Sequence, residues 1–230
     1  MNTYSLEELE KRIGYTFKNK ALLRQAMTHS SFTNERKINK EPHYERLEFL
    51  GDAVLELASS EFFYYKYPDM PEGKMTKMRA SAVCEQALAI PARELELGQF
   101  MRFSKGEENT GGRDRDSIIA DAVEAIIGAI YLDSGYVDAK HFVEHFVLND
   151  LEKKHLFYDA KSILQEWSQN GDNESVRYEL LSESGPDHNK CFEVAVYVGE
   201  KSMGKGTGKS KKLAEQHAAY EALCQIKGQV

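Results

Sequence analysis

Two pairs of acids stand inside otherwise apolar helical stretches: Glu48 and Asp52 in ERLEFLGDAVLEL, and Asp121 and Glu124 in SIIADAVEAIIGAIYL. A spacing of four in the first pair and three in the second puts each pair on one helix face, on successive turns. Burying ionised carboxylates is costly unless something positive compensates, and no lysine or arginine lies within one turn of the second pair on its own helix. A divalent cation is the natural compensation, and with it comes a chemistry. Phosphodiester hydrolysis delivers hydroxide in line to an anionic phosphorus while charge builds on the departing oxygen. Mg²⁺ serves both needs, lowering the pKa of bound water and neutralising oxygens, and a few carboxylates suffice because it keeps several waters. Each acid also has an ordinary reading: Asp52 as an N-cap after Gly51, Glu48 as a partner of Arg46 or another base, Asp121 as a complement to a helix dipole near Ser117. For one acid alone the ordinary reading is the more common. Four acids in two matched clamps reverse that balance.

Long segments of 3.6-residue period must position these acids. From Ser5 to about Lys154 they are broken only by polar loops such as NERKINKEPHY and KGEENTGGRDRD, which predicts an all-α domain. The charged run DLEKKHLFYDA loses the apolar rhythm and marks a junction near residues 152–158, giving domains 1–154 and 155–230. Beyond it, AKSILQEWSQ puts Ile163, Leu164 and Trp167 on a helical face. VRYELLSE and CFEVAVYV alternate as strands, with Phe192, Val194, Val196 and Val198 on one side of the second. A third short strand is expected around Glu200 to Gly204, then GKGTGKSKK leads into a helix in which Ala214, Ala218 and Ala222 recur every fourth residue. The order α-β-β-β-α in about seventy residues suits a small α+β binding module.

The 230 residues, 41% hydrophobic and 10% aromatic, can bury a substantial core. The charged, amphipathic beginning MNTYSLEELEKRIG has no apolar signal core, and the stretch Ile118 to Leu132 is too short and too acidic to span a bilayer. Export and membrane insertion are therefore not expected. Cys84, Cys191 and Cys224 are widely separated and form neither a zinc-knuckle spacing nor a disulfide framework, which predicts a reducing, cytoplasmic setting. A net charge of -7 argues against coating nucleic acid by bulk charge. The run from Lys201 to Ala214, however, holds Lys201, Lys205, Lys209, Lys211 and Lys212 and no acid, a local basic patch in an acidic chain.

Glu45-Arg46-Leu47-Glu48-Phe49-Leu50-Gly51-Asp52-Ala53 closely resembles the signature of the ribonuclease III family, and Asp121-Ala122-Val123-Glu124 resembles that family's second acidic motif. The α-β-β-β-α unit resembles the double-stranded RNA-binding domain, so the resemblance spans nearly the whole chain. It implies a metal-dependent endoribonuclease that cuts both strands of double-stranded RNA, leaving 5′-phosphate and 3′-hydroxyl ends with short 3′ overhangs. Implied substrates are ribosomal RNA precursors and some messenger and transfer RNA transcripts. Implied metal ligands are Glu48, Asp121 and Glu124, holding Mg²⁺, for which Mn²⁺ can substitute. Asp52 would orient a water or help a second metal, acting with Glu124 in catalysis, while Glu45 and Glu72 look like the family's auxiliary acids. No small-molecule organic cofactor is implied. For Glu72, a polar turn residue after Pro71, only the resemblance suggests a role. Phe49 would enter a pocket of a second copy across a two-fold homodimer, giving each RNA strand its own site; packing in its own core explains it almost as well.

A-form RNA is gripped by shape, through minor-groove 2′-hydroxyls and major-groove phosphates. The resemblance assigns Gln165 and Glu166 to one minor groove, the Gly185-Pro186-Asp187-His188 turn to the next, and Lys209, Lys211 and Lys212 to phosphates, with His188 equally readable as a turn residue. Lysines at a helix N-terminus add side-chain charge to exposed amides and the helix dipole. Glu215 stands where many such domains carry a base, which would weaken binding or shift contact to Lys209. Trp167 and Tyr197 are expected in the core, since duplex bases are not available for stacking. Two rival readings are a duplex-RNA binder with a catalytically dead nuclease fold, which has no reason to keep four acids, and a small-nucleotide phosphohydrolase, which leaves the lysine-bearing module unexplained.

Overall fold

The computed structural model describes residues 5–35, 41–149, 160–170, 174–185 and 190–228. The chain separates into two compact units, Met1–Asn149 and Asp150–Val230. The junction expected at residues 152–158 lies outside the described residues.

The first unit is helical: α1 (Leu6–Ile13), α2 (Lys20–Ala26), α3 (Ser30–Glu35), α4 (Glu45–Lys66), α5 (Glu72–Ala82), α6 (Glu85–Glu94), α7 (Leu97–Phe100), α8 (Lys105–Asn109), α9 (Asp116–Ser134) and α10 (Tyr136–Phe142). A 3₁₀ turn over Gly112–Asp114 precedes α9, and a π turn over Val143–Val147 continues α10. A helix that is apolar all round belongs at the centre of a domain. Between Ile118 and Ile130 every residue of α9 is buried except Asp121 and Glu124. Burying a side chain such as Ile126 or Ile127 contributes about 1.5–3 kcal/mol, so this central stretch of α9 anchors the unit while its two acids stay partly open to water.

The longest helix, α4, crosses α9 at two glycines. A Cβ on Gly51 would land inside the carbonyl oxygen of Glu124, and one on Gly128 inside the carbonyl oxygen of Leu47. The backbones therefore touch directly, one turn from each acid pair. Phe49, Leu57, Tyr64 and Tyr65 of α4 remain exposed, Phe49 to 81%.

In the second unit, α11 (Ala160–Asn170) and α12 (Lys211–Gly228) flank a three-stranded antiparallel sheet of β1 (Val176–Ser184), β2 (Cys191–Val198) and β3 (Lys201–Gly208), in the order β1-β2-β3. The architecture is the all-α domain plus α-β-β-β-α module that the periodicities predict. The core joins Ala160, Leu164, Val196, Val198, Met203, Ala218, Ala219, Ala222 and Leu223.

The third strand is longer than expected and takes in most of GKGTGKSKK. Glycines read as loop residues are needed here inside a strand, because β3 lies flat on α12. A Cβ on Gly204 would sit 2.5 Å from the Ala218 carbonyl oxygen, and one on Gly208 2.7 Å from the Ala214 nitrogen. Trp167 also departs from expectation, being 45% exposed. The buried stripe of α11 runs through Ala160, Leu164 and Ser168, at i, i+4 and i+8, which puts Trp167 on its flank. Among the described residues no helix is long and apolar enough to cross a membrane.

Candidate active site

Glu45 and Glu48 lie in the first turn of α4, where the helix dipole favours acids. Asp52 is one turn further on, well inside the helix, so it is not an N-cap. No ion pair joins Glu48 to Arg46 among the described residues. The dipole-complementing acid of α9 is Asp116, in the first turn and paired with Arg93; Asp121 lies a turn beyond it. The ordinary readings of these acids therefore do not describe the fold, and Gly51 and Gly128 bring the two pairs to one patch.

The electrostatics report that convergence. Partial burial pushes the Glu48 carboxyl up to about 7, helped by Asp121 on the other helix and by Glu45 and Asp52. Burial raises Glu124 to about 8, and the charges of Asp52, Asp121, Glu48 and Glu56 add to it. Burial also raises Asp121, against a hydrogen bond from Tyr44 that pulls the other way, with Glu85 and Glu45 raising it further. The charged groups that act most strongly on these three carboxyls are acids. Such an oxygen-rich excess of negative charge suits a hard divalent cation. As the side chains stand, no group of three or more His, Cys, Asp or Glu among the described residues is arranged to hold a metal ion. The donor chemistry of these carboxyls nonetheless fits a hard cation.

Sequence reasoning missed four participants. Tyr44, buried just before α4, donates its hydroxyl to Asp121 Oδ2 at 3.2 Å. Glu85, at the start of α6, and Glu56, one turn past Asp52, add to the negative field. Arg79 of α5 holds Glu56 at 2.9 Å and donates to Ser60 Oγ at 2.6 Å. Nothing in the local sequence pointed to Tyr44, since its partner is 77 residues away. Glu72 is not brought to the quartet. It begins α5, accepts a hydrogen bond from Thr76 at 2.9 Å, and lines a cavity with Ser60, Phe63, Tyr64 and Arg79 beside the C-terminal half of α4.

In the second unit, Gln165 and Glu166 are exposed on α11, and Lys209, Lys211 and Lys212 are exposed at the start of α12, whose first turn carries no acid. Ser210 caps that start, its Oγ accepting from the Leu213 amide at 3.2 Å. Glu215 is paired with Lys161 of α11 at 2.5 Å, so its charge is compensated within the module. Tyr197 is half-buried beneath the Arg177 guanidinium, 4.3 Å from its ring centre. His188 lies outside the described residues; Gly185, which opens that turn, has a left-handed φ of 89°.

Comparisons with known proteins bear on both units. Residues 19–151 match the family model described as Ribonuclease-III-like, and residues 160–226 match the Double-stranded RNA binding motif. The chain is 48% identical over 223 residues to Ribonuclease 3 of Oceanobacillus iheyensis, covering 96% of this chain and 98% of that protein. It is 47% identical over 224 residues to Ribonuclease 3 of Caldanaerobacter subterraneus, covering 96% and 98%. Among solved structures, the nuclease domain of ribonuclease III from Campylobacter jejuni is similar at a TM-score of 0.58 and 44% identity, covering 62% of this chain and 96% of that one.

Proposed function

The chain belongs to the ribonuclease III family, and we propose that it is a homodimeric endoribonuclease that hydrolyses both strands of double-stranded RNA at the acid patch between α4 and α9. The observation that carries this reading is the convergence of Glu48, Asp52, Asp121 and Glu124 from two helices, each pair facing the other across a glycine contact. Glu48, Asp121 and Glu124 would hold Mg²⁺, or Mn²⁺ in its place, and the ion would polarise the scissile phosphate and activate the attacking water. Asp52, exposed one turn from Glu48, would accept a hydrogen bond from that water and orient it. Glu45, in the first turn of α4, adds negative charge that draws in the ion. Glu72 would act as an auxiliary acid from the start of α5, beside the C-terminal half of α4. The products carry 5′-phosphate and 3′-hydroxyl ends, and the substrates are ribosomal RNA precursors and some messenger and transfer RNA transcripts.

Residues 1–154 would form the catalytic and dimerisation domain and 155–230 the RNA-binding domain. Gln165, Glu166 and His188 would meet minor-groove groups, and Lys209, Lys211 and Lys212 phosphates. The exposure of Phe49 favours a dimer over packing in its own core. Phe49, Leu57 and Tyr64 fall along one stripe of α4, and the cavity lined by Ser60, Phe63, Tyr64, Glu72, Met75, Thr76 and Arg79, about 300 Å³, is wide enough for a phenyl group. Pairing two copies of α4 antiparallel would seat each Phe49 in the other's cavity, with Leu57 near the two-fold axis.

The test incubates the protein with duplex RNA, single-stranded RNA and duplex DNA, with Mg²⁺, with Mn²⁺ and with chelator. Cleavage confined to duplex RNA and to the metal-containing samples is expected. Binding without cleavage would instead select the catalytically silent reading.

A further inference from the structure

Tyr44 brings a neutral donor into the acid patch, and its surroundings fix where it points. The backbone amide of Tyr44 donates to the Thr28 carbonyl at 2.9 Å, and its own carbonyl accepts from the Leu47 and Glu48 amides at 2.7 and 2.9 Å, which ties it to the start of α4. The ring is 5% exposed and lies 5.6 Å from the His29 ring, which in turn packs 5.2 Å from Phe103. A side chain clamped at backbone and ring has little freedom left, and its hydroxyl reaches Asp121 Oδ2 at 3.2 Å.

A lone carboxylate among like charges turns away from them, and turning takes it out of the plane in which it can ligate an ion. A donor on one oxygen holds that plane and leaves the other oxygen free. The donor must be uncharged, because an arginine or lysine there would compete with the cation for the same acids.

We infer that Tyr44 is a positioning residue that holds Asp121 in the orientation needed for divalent metal capture. This rests on the proposed metal-dependent function and is separable from it. Tyr44→Phe removes the hydroxyl and keeps the ring. In the full-length protein without RNA, Mn²⁺ binding followed by calorimetry is expected to weaken 10-fold or more, the scale on which loss of an outer-shell partner acts. The Mg²⁺ concentration for half-maximal duplex cleavage should rise by a similar factor, with most of the maximal rate recovered at saturating metal. Duplex binding in chelator and the unfolding midpoint in chelator should match the parent protein, which separates orientation from general support of the fold. Unchanged Mn²⁺ affinity in a folded variant overturns the inference. So does an equal loss of rate at every metal concentration. If the parent protein itself binds no Mn²⁺ and cuts no duplex, the proposed function fails instead, whatever Tyr44→Phe does.

Discussion

Gly128→Ala is the sharpest test of how the site is assembled, because two effects predict opposite signs. In a helix interior, glycine to alanine ordinarily stabilises by about 1 kcal/mol. Here the new methyl would collide with the Leu47 carbonyl oxygen and lie 3.1 Å from the Gly51 nitrogen. Carbon and oxygen need roughly 3.5 Å, so α4 and α9 must part by about 1 Å or more. Overpacking of this kind costs about 1–3 kcal/mol. The same parting separates Glu48 and Asp52 from Asp121 and Glu124, and a misplacement of about 1 Å is worth about 10²-fold in rate. Thermal unfolding in chelator and single-turnover cleavage of a short duplex RNA measure the two effects together. Gly73→Ala is the control, since a Cβ there meets nothing within 4 Å; it should be neutral or stabilising and fully active. A Gly128→Ala protein at least as stable as the parent, cleaving within about threefold of it, would refute the claim that glycine contact sets the spacing of the acids.

Glu124→Gln should abolish cleavage while leaving duplex affinity largely intact in a gel-shift assay, because grip is assigned to the other unit; joint loss would count against that division. In chelator, stability should fall as pH rises from 5 to 8.5, read by denaturant midpoints. Glu124 and Glu48 titrate near 8 and 7 in the fold instead of at their ordinary 4.5. Their contribution is therefore complete below about pH 4.5 and lost as pH climbs through the folded values. The Glu124 rise alone corresponds to roughly 5 kcal/mol as a ceiling, and solvent reaching the patch and charge shared among the acids reduce it to about 1–2 kcal/mol. Mg²⁺ should flatten the slope, and a profile that rises with pH would contradict the uncompensated cluster. Lys212→Ala should weaken duplex binding at all sequences and lower the salt slope by about 1; an unchanged slope removes that lysine from the phosphate contacts. Leu57→Asp should convert a dimer to monomer in sedimentation velocity, and an undisturbed dimer would move the two-fold axis elsewhere.

Much of the site was legible because its signals are local. Acids at spacings of three and four inside apolar helices announce themselves, and so do the Ala214, Ala218 and Ala222 repeat and the lysines at the start of α12. What stayed hidden depends on partners distant in sequence. Tyr44 gains its meaning from Asp121, and Glu215 from Lys161. Gly51 reads as ordinary helix punctuation until Gly128 is laid against it. Glycines 206 and 208, beyond the expected end of the third strand, suggest a loop because strand propensity disfavours them, and tertiary contact with α12 overrides that preference. On α11, Leu164 is buried and Ile163 packs against the core as their spacing suggests, but the buried row continues through Ala160 and Ser168 and leaves Trp167 on the flank.

The bare strand β3 has a consequence for how variants of this chain should be interpreted. With no side chain at residues 204, 206 and 208, the sheet and α12 rest on one another with no intervening cushion. A methyl introduced at Gly206 would be relieved by lifting the forward end of α12, the end that carries Lys211 and Lys212. A hidden, electrically neutral change would then present itself as a defect in holding RNA. A survey that looked for such defects only among basic surface residues would pass over their origin.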